Sequence, residues 1–279
     1  MVLTCTVIYQ SSLIMGAPLN KYNPTLTAII QARVSSKRLP RKILLPLGGK
    51  AVLEQVVERS TKAKSLTAIV IATSTNLKDD AIAALCKKRG IKCFRGSLDD
   101  VLDRYYQCAK KFSLARICRI TADCPLIDPK IIDRAASIYA NGKYDYVSTS
   151  YPLSTFPDGL DVEIFSFEAL EKAWHEAKLP SEREHVTPYI WKHPNLFKIH
   201  AIKNKEDLSS YRWTLDEERD YEFLNIVFDR VSPLTTRNIL RFLQAHPEVQ
   251  AINAGIKRNE GYKKSLEKDN QQNNQNNES

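Results

Sequence analysis

The feature of this sequence that most restricts its fold is the alternation of apolar runs of strand length with segments of helical period, which begins at Thr25. The first apolar run, at 26–31, reads LTAIIQ, and the segment at 51–62 then places Val52 and Val56 on one helical face. Strands that alternate with helices build βαβ units. We therefore expect an α/β fold with a mostly parallel, mixed sheet that is flanked by helices.

Eight strands and eight helices are predicted from this alternation. The predicted strands span 26–31, 66–72, 91–94, 115–120, 144–149, 161–165, 197–202 and 211–215. The predicted helices span 51–62, 78–89, 99–112, 129–140, 166–177, 181–191, 217–230 and 235–245. The helix at 181–191 is expected to be interrupted or to end around Pro188. Ligands of such sheets bind beyond the carboxyl ends of the strands. The candidate site loops are therefore those at 32–42, 73–78, 121–128 and 216–220.

The domain organisation follows from length and composition. The chain has 279 residues, enough for one α/β domain, which we place at 25–262. Residues 1–24 are read as an N-terminal extension without the features of a signal peptide, and Met15 is a second candidate start. Residues 263–279 are of low complexity and predict a disordered polar tail. No run reaches the ~18 apolar residues of a transmembrane helix, so no membrane insertion is expected.

The charge of the chain points to an anionic partner. The net charge is +9 at pH 7, which suits a nucleic acid, a membrane surface or a phosphorylated small molecule. Much of the excess lies in residues 33–42 and 257–268, which favours a local phosphate site over a basic coat. None of the cysteines forms a C-x-x-C pair and no histidine pair has zinc spacing, so we expect reduced, buried thiols in a cytoplasmic protein. The six cysteines are Cys5, Cys86, Cys93, Cys108, Cys118 and Cys124.

The loop at 32–42 is the strongest candidate for binding phosphate. Five cations and two serines lie between Arg33 and Lys42, directly after the first predicted strand. Arginine forks and lysine ammonium groups are suited to phosphate oxygens. The loop carries neither a P-loop nor a dinucleotide fingerprint, and alone it is equally compatible with a solvated basic surface, a nucleic-acid patch and a nucleotide site. Its position after a buried strand favours the nucleotide site.

Two further loops carry carboxylates at strand ends. Asp123 and Asp128 follow the strand predicted at 115–120, and Asp216 follows the one predicted at 211–215. Mg²⁺ prefers one or two carboxylates together with phosphate and water. Metal binding is favoured for Asp123, and a helix cap is favoured for Asp128, which precedes a proline. For Asp216, a helix cap and a metal ligand stay equally open.

Acidic and mixed charges later in the chain form a possible acceptor side. Asp158, Asp161 and Glu163 lie close together, and the last two share a strand face. They are compatible with hydrogen bonds to sugar hydroxyls or with the solvent face of an edge strand. The segment at 181–188 adds Arg183, Glu184 and His185, of which the arginine is suited to an acceptor carboxylate or phosphate and the histidine to an ordinary polar contact.

The motifs together resemble the cytidylyltransferase family. IIQARVSSKRLPRKIL is similar to the opening motif of its spore-coat-polysaccharide (SpsF-type) branch, which reads A-R-M-G-S-T-R-L-P-G-K, with Ser35 and Arg41 in place of two glycines. The segments RITADCPLIDP, DGLDVE and EREHVTPY resemble further motifs of that branch. TLDEERD is similar to a segment in which the family's Asp contributes to the metal site. The resemblance covers about residues 25–268.

The resemblance implies a Rossmann-like nucleotidyltransferase (GT-A-like) architecture and a role for each motif. It implies Mg²⁺-dependent transfer of CMP from CTP to a small acidic sugar or phospho-acceptor with release of pyrophosphate, for surface polysaccharide precursors, by a cytoplasmic homodimer that binds no nucleic acid. The catalytic residues would be Arg33, Arg38, Lys42 and Asp123. The metal ligands would be Asp123 and Asp216. The nucleotide-binding residues would be Gln31, Ala32, Arg33, Ser36, Arg38, Lys42, Thr73, Thr121 and Asp123. The acceptor-binding residues would be Asp158, Asp161, Glu163, Arg183, Glu184 and His185.

Two other functions are compatible with parts of the sequence. A glycosyltransferase that uses a nucleotide-sugar would share the α/β layout, but no clean D-x-D follows a strand, and Asp161-Val162-Glu163 is the nearest candidate. A nucleic-acid-binding protein would explain the charge, but the cations cluster in one loop and no helix-turn-helix, zinc finger or aromatic-basic RNA motif is present.

Overall fold

A computed structural model describes residues 25–36, 38–151 and 153–277. It contains a seven-stranded sheet in the order β5-β4-β1-β6-β8-β7-β9 and a separate two-stranded hairpin, β2-β3. The strands are β1 Leu26–Gln31, β2 Pro46–Leu47, β3 Lys50–Ala51, β4 Leu66–Ser74, β5 Lys92–Gly96, β6 Arg116–Thr121, β7 Tyr146–Ser148, β8 Glu163–Ser166 and β9 Ile199–Ala201.

Helices cover the sheet and follow the strands in the predicted alternation. They are α1 Val52–Ser60, α2 Asp80–Arg89, α3 Val101–Lys111, α4 Pro129–Gly142, α5 Phe167–Glu176, α6 Pro180–His185, α7 Pro188–Lys192, α8 Glu218–Arg230, α9 Thr236–Ala245, α10 Pro247–Ala251 and α11 Glu260–Asn277. Within the described ranges, no helix is long and apolar enough to cross a membrane.

The sheet is mixed and mostly parallel, as the sequence predicts. β1 pairs in parallel with β4 and β6, and β4 pairs in parallel with β5. β8 is antiparallel to both β6 and β7, and β9 is parallel to β7. The carboxyl ends of β1, β4, β5, β6 and β7 and the amino end of β8 therefore meet at one edge, which we call the site edge.

The central strand shows why the sheet is covered on both faces. Alternate residues of β1 face opposite sides, so Ala28 and Ile30 enter one apolar cluster while Ile29 enters the other. All three side chains are fully buried. A central strand with consecutive apolar residues at 28–30 contributes side chains to both layers, and this explains the apolar run in the sequence.

Local signals set several element ends as predicted. Gly90 ends α2 with a positive φ of 66°, a conformation that glycine adopts without steric cost. Ser166 accepts the Ala169 N–H at the start of α5, and Pro129 occupies the first turn of α4. Pro188 starts α7, which divides the helix predicted at 181–191 into α6 and α7.

Two predictions are wrong. The segment at 211–215 forms only a single bridge, between Arg212 and Asp158, because its remaining backbone groups bond to site loops instead of a strand. The tail predicted to be disordered from 263 forms α11 through Asn277, which packs on α6 and buries Ser265 and Asp269. The extension at 1–24, Met15 and Cys5 lie outside the described residues. Among the other cysteines, Cys86, Cys108, Cys118 and Cys124 are free and buried and Cys93 is free and half-buried.

Candidate active site

The loop at 32–42, which we call the phosphate loop, follows β1, and side-chain hydrogen bonds hold its backbone in place. The buried carboxylate of Asp79 accepts the Val34 N–H at 2.8 Å, and Ser36 Oγ accepts the Leu39 N–H at 3.3 Å. Arg41 is left-handed, with φ 57°. A non-glycine residue bears a steric cost there, which explains why the motif that the loop resembles carries glycine at this position. The loop is therefore a shaped turn and not a loose basic surface.

The cations of the phosphate loop differ in exposure. Arg33, Arg38 and Arg41 are exposed, whereas Lys42 is only 8% exposed. Arg38 reaches across the loop to Asp216 at 3.1 Å and to Glu260 at 2.6 Å. The exposed guanidinium groups present positive charge at the site edge, whereas the ammonium of Lys42 is buried.

Two carboxylates converge on the ammonium of Lys42. Lys42 Nζ lies 2.6 Å from Asp123 Oδ2 and 2.7 Å from Asp216 Oδ1. Asp123 follows β6, and its carbonyl accepts the Leu215 N–H at 2.8 Å and the Thr214 hydroxyl at 3.3 Å. These bonds bring Asp216, 93 positions further along the chain, next to Lys42 Nζ. We call Asp123 and Asp216 the carboxylate pair.

Asp216 is not the cap of the helix that follows it. Asp220 accepts the N–H groups of Asp216 and Glu217 at 2.9 and 3.0 Å, and Glu217 occupies the cap position of α8. Both oxygens of Asp216 therefore point to cations, Oδ1 to Lys42 and Oδ2 to Arg38 and Arg212. Asp128, by contrast, is the predicted helix cap, since it accepts the Lys130 N–H at 2.9 Å.

The electrostatics around Asp123 favour its ionised carboxylate. Burial would raise the pKa of Asp123, but the charge and hydrogen bond of Lys42 outweigh burial and lower this pKa to about 2. The same two carboxylates raise the pKa of Lys42 against its own burial. At neutral pH the ionised carboxylate of Asp123 therefore lies against the positive charge of Lys42.

A second set of charges lies behind the carboxylate pair and is buried. Arg212, 7% exposed, donates to Asp220 at 2.8 Å, to Asp158 at 2.9 Å and to Asp216 at 3.1 Å. Asp158 is positioned by backbone bonds to Tyr211 and Trp213 across Gly159. A Cβ at Gly159 would lie 2.7 Å from the Trp213 carbonyl carbon, so only glycine allows this approach.

Two more arginines extend this set of charges. Its mostly buried members form what we call the buried ion network, whereas Arg258 and Asp161 are partly exposed at its border. The network comprises Arg119, Arg212, Asp158, Glu163 and Asp220. Arg258 donates to Asp161 at 2.6 Å and lies 3.5 Å from Asp158. Arg119 pairs with Glu163, which also accepts the hydroxyls of Tyr146 and Thr187. Burial and repulsion from Asp161 raise the pKa of Asp158, and burial and repulsion from Glu163 raise the pKa of Asp161, despite the nearby arginines.

The three acceptor-side residues of α6 face two different partners, so that Arg183 lies apart from Glu184 and His185. Arg183 turns away to Asp100, with its Nε 3.0 Å from Asp100 Oδ2, and also donates to the Trp174 carbonyl. Glu184 and His185 both contact Ser265 on α11, at 2.8 and 3.0 Å. Burial, Arg119 and Arg33 lower the pKa of His185 to about 4, so the imidazole is neutral at pH 7.

The remaining predicted nucleotide residues lie at the ends of β1, β4 and β6. Ala32 continues β1 and donates to the Ala72 carbonyl at 3.1 Å, and Thr121 Oγ1 lies 3.0 Å from Cys124 Sγ. Gln31 Oε1 and Thr73 Oγ1 are buried and have no hydrogen-bond partner among the described residues. All four lie at the site edge, although Thr73 is fully buried.

Several residues of the site were missed by sequence reasoning. Arg212, Asp216 and Asp220 recur at intervals of four, and this spacing was the one available signal for the arginine. Arg258 lies just before α11 and Glu260 is the first residue of that helix, and neither gives a local sign of its partners. Asp161 and Glu163, the nearest D-x-D-like candidate, each pair with an arginine, so they do not converge on one cation.

A family model described as "Cytidylyltransferase" matches residues 27–253 of this chain. The chain is 41% identical over 237 residues to an uncharacterized protein of Methanocaldococcus jannaschii, covering 83% of this chain and 96% of that protein. It is 31% identical over 234 residues to the spore coat polysaccharide biosynthesis protein SpsF of Bacillus subtilis, covering 79% of this chain and 94% of that protein.

Two solved structures are also similar to this chain. The structure of a cytidylyltransferase from Leptospira borgpetersenii superposes with a TM-score of 0.78 at 34% identity, over 84% of this chain and 100% of that one. A CMP:2-keto-3-deoxy-manno-octonic acid synthetase complexed with CTP superposes with a TM-score of 0.56 at 14% identity, over 74% of this chain and 99% of that one. The second likeness extends to the fold alone.

Proposed function

This chain belongs to the cytidylyltransferase family, and from that premise we propose that it transfers CMP from CTP to a small acidic sugar or related acceptor, with Mg²⁺. The observation that carries the proposal is the convergence of Asp123 and Asp216 on one cation beside a shaped, arginine-rich loop at the site edge. That edge is where open α/β sheets bind their ligands.

In this proposal the phosphate loop holds the triphosphate. Arg33 and Arg38 are exposed and offer paired N–H donors, and Lys42 adds a point charge within the turn. Ser36, half-buried beside them, contributes a hydroxyl. An acceptor oxygen forms a bond to the α-phosphorus while the bond to the β-phosphate oxygen breaks, and pyrophosphate leaves. The cations stabilise the charge that develops on the leaving group.

The carboxylate pair fits a Mg²⁺ site. Mg²⁺ takes oxygen ligands and is usually held by one or two carboxylates together with substrate phosphates. Asp123 and Asp216 supply such oxygens, and both lie within 2.7 Å of a single cationic atom, so they can serve one ion together. When bound, Mg²⁺ neutralises charge on the phosphates during transfer. Arg212 would keep Asp216 in place from behind.

The acceptor would lie on the side of β7, β8 and the segment after α10. There Arg258 and Asp161 are partly exposed, so they are suited to the carboxylate and hydroxyls of an acidic sugar. Glu163 is almost fully buried among Arg119, Tyr146 and Thr187 and would shape the pocket from beneath. The B. subtilis relative is named for spore coat polysaccharide biosynthesis. By analogy, the proposal includes a role in the synthesis of surface polysaccharide precursors. It also places the chain in the cytoplasm, as a homodimer.

A nucleotide screen tests this proposal directly. Thermal unfolding is measured with each of CTP, UTP, ATP and GTP in the presence of Mg²⁺, since a ligand that binds only the native state raises the melting temperature. We expect CTP to give the largest rise, Arg38→Met to reduce it, and Lys50→Met, a change of an exposed lysine on β3, to leave it unchanged.

Pyrophosphate release separates the proposed enzyme from its rivals. With CTP, Mg²⁺ and a panel of acidic sugars, the chain should release pyrophosphate in proportion to product. A melting shift with nucleotide-sugars and no pyrophosphate would assign a glycosyltransferase instead. Salt-sensitive binding of random DNA, without any response to CTP, would assign a nucleic-acid-binding protein.

A further inference from the structure

Lys42 occupies the position between Asp123 and Asp216 that a shared cation would take. Its ammonium lies 2.6 and 2.7 Å from one oxygen of each carboxylate, and its side chain is 11% exposed. An ammonium has three donors, and two of them are engaged by these oxygens. The inference below rests on the proposed function, because it concerns the metal of that same site.

The lysine has little freedom to leave this position without another anion. It follows Arg41 in a fixed turn, and its backbone is part of a 3-10 turn, Lys42–Leu44. Moving the buried ammonium away from both carboxylates would leave Lys42 and Asp123 without a close partner of opposite charge, which is strongly unfavourable. A triphosphate offers replacement acceptors, because its oxygens can take over the hydrogen bonds that the carboxylates release.

The charges around Asp216 add to the effect of Lys42. Its other oxygen is shared by Arg38 and Arg212, each at 3.1 Å, so its negative charge is compensated from three sides. A free divalent cation that approaches the carboxylate pair therefore meets Lys42 at close range, with both carboxylates already paired. Repulsion between like charges is strong at such distances in a partly desolvated site.

We propose that Lys42 is an internal counter-ion that excludes free divalent metal from Asp123 and Asp216 until a nucleoside triphosphate arrives. The oxygens of the triphosphate then accept the hydrogen bonds of Lys42, and the metal arrives bound to the triphosphate. The site therefore binds a metal–triphosphate complex and not a free ion. The arrangement sets the order of binding and keeps the carboxylate pair from being occupied by metal alone.

Binding of Mn²⁺ alone, without nucleotide, tests the proposal. Electron paramagnetic resonance of free Mn²⁺ gives its affinity for the protein independently of turnover. We expect weak binding to the parent chain and at least ten-fold tighter binding to Lys42→Met, which frees both carboxylates from the ammonium. Lys42→Arg keeps the charge and should bind as weakly as the parent. Equal Mn²⁺ affinity for the parent and Lys42→Met would overturn the proposal.

Two controls keep the result interpretable. Lys50→Met removes an exposed lysine that pairs with Glu58 and touches neither carboxylate, so it should leave Mn²⁺ affinity unchanged. The double variant Lys42→Met/Asp216→Asn should lose the gain, and retention of tight binding there would place the ion elsewhere and refute the proposal. If Lys42→Met fails to fold by circular dichroism, Lys42→Gln serves with the same expectation.

The failure of this inference and that of the proposed function are distinguishable. If the parent chain shows no melting shift with CTP and Mg²⁺, the proposed function fails, whatever the Mn²⁺ affinities. If the shift is present but the parent binds Mn²⁺ alone as tightly as Lys42→Met does, only the counter-ion role fails.

Discussion

The phosphate loop and the buried ion network contain similar residues and use them in opposite ways. The loop exposes Arg33, Arg38 and Arg41 to solvent, where an incoming anion can replace water or, at Arg38, the neighbouring carboxylates at little cost. The network packs Arg119 and Arg212 against carboxylates in positions that are largely closed to solvent. Exposed cations can be recruited by an incoming anion, whereas buried pairs fix geometry and cannot be separated cheaply. We read the loop as the part that binds and the network as the part that positions.

The sharpest test of this contrast compares Arg212 with Arg38. Arg212→Met would leave Asp158, Asp216 and Asp220 without their shared donor, and loss of one partner of a buried pair typically costs about 3–5 kcal/mol. Arg38→Met removes a side chain that is 34% exposed, and we expect a loss below about 1 kcal/mol. Urea denaturation of both variants measures the free energy of unfolding. Similar losses for the two would break the contrast.

Asp123→Ala tests the binding side by its rate. Removing one group that stabilises the transition state typically costs about 2–4 kcal/mol, so we expect kcat to fall by about 10²–10³. The matched control is Asp128→Ala in the same loop, which removes a helix cap and should lower the free energy of unfolding by about 1 kcal/mol with kcat within a few-fold. A rate for Asp123→Ala within a few-fold of the parent would refute the metal role.

His185 lies near Arg119 of the buried ion network, and its pH dependence tests the effect of that charge and of burial. Its pKa is about 4 in the folded chain against 6.5 when unfolded, so the unfolded chain binds more protons between these values. Stability is therefore intact above pH 6.5 and is lost as the pH falls toward 4, by up to about 3 kcal/mol. His185→Gln removes the titrating group, so its free energy of unfolding should fall less over that window. Parallel curves for parent and variant would contradict this.

Arg41 gives the smallest expected effect, within the phosphate loop itself. Arg41→Val places a branched side chain at φ 57° and should lower the free energy of unfolding by about 1–2 kcal/mol. Arg41→Gly relieves the left-handed strain but adds freedom to the unfolded chain, so we expect a net change within about 0.5 kcal/mol. Thermal and urea unfolding measure both. Equal destabilisation by Val and Gly would show that the arginine side chain, not the backbone, matters there.

The sequence predicted the elements whose signals are local. The apolar run of β1, the glycine at the end of α2 and the cap at Asp128 each depend on residues within a few positions, and all three are confirmed. The segment at 211–215 was misread because its apolar alternation does not show where its backbone bonds go. The tail was misread because low complexity does not show that Ser265 and Asp269 are buried against α6.

Neighbouring residues specify the alternating α/β order, the cationic loop after the first strand and the acids at two strand ends, so these features could be predicted. Which charges meet depends on the folded arrangement of the whole chain. Lys42 joins partners 81 and 174 positions away, and Arg212 joins Asp158 across 54. Such pairings depend on how strand ends are ordered across the sheet, and no local pattern encodes that order. The physical reason is that burial, which makes these charges dependent on one another, exists only once the sheet and its helices have closed around them.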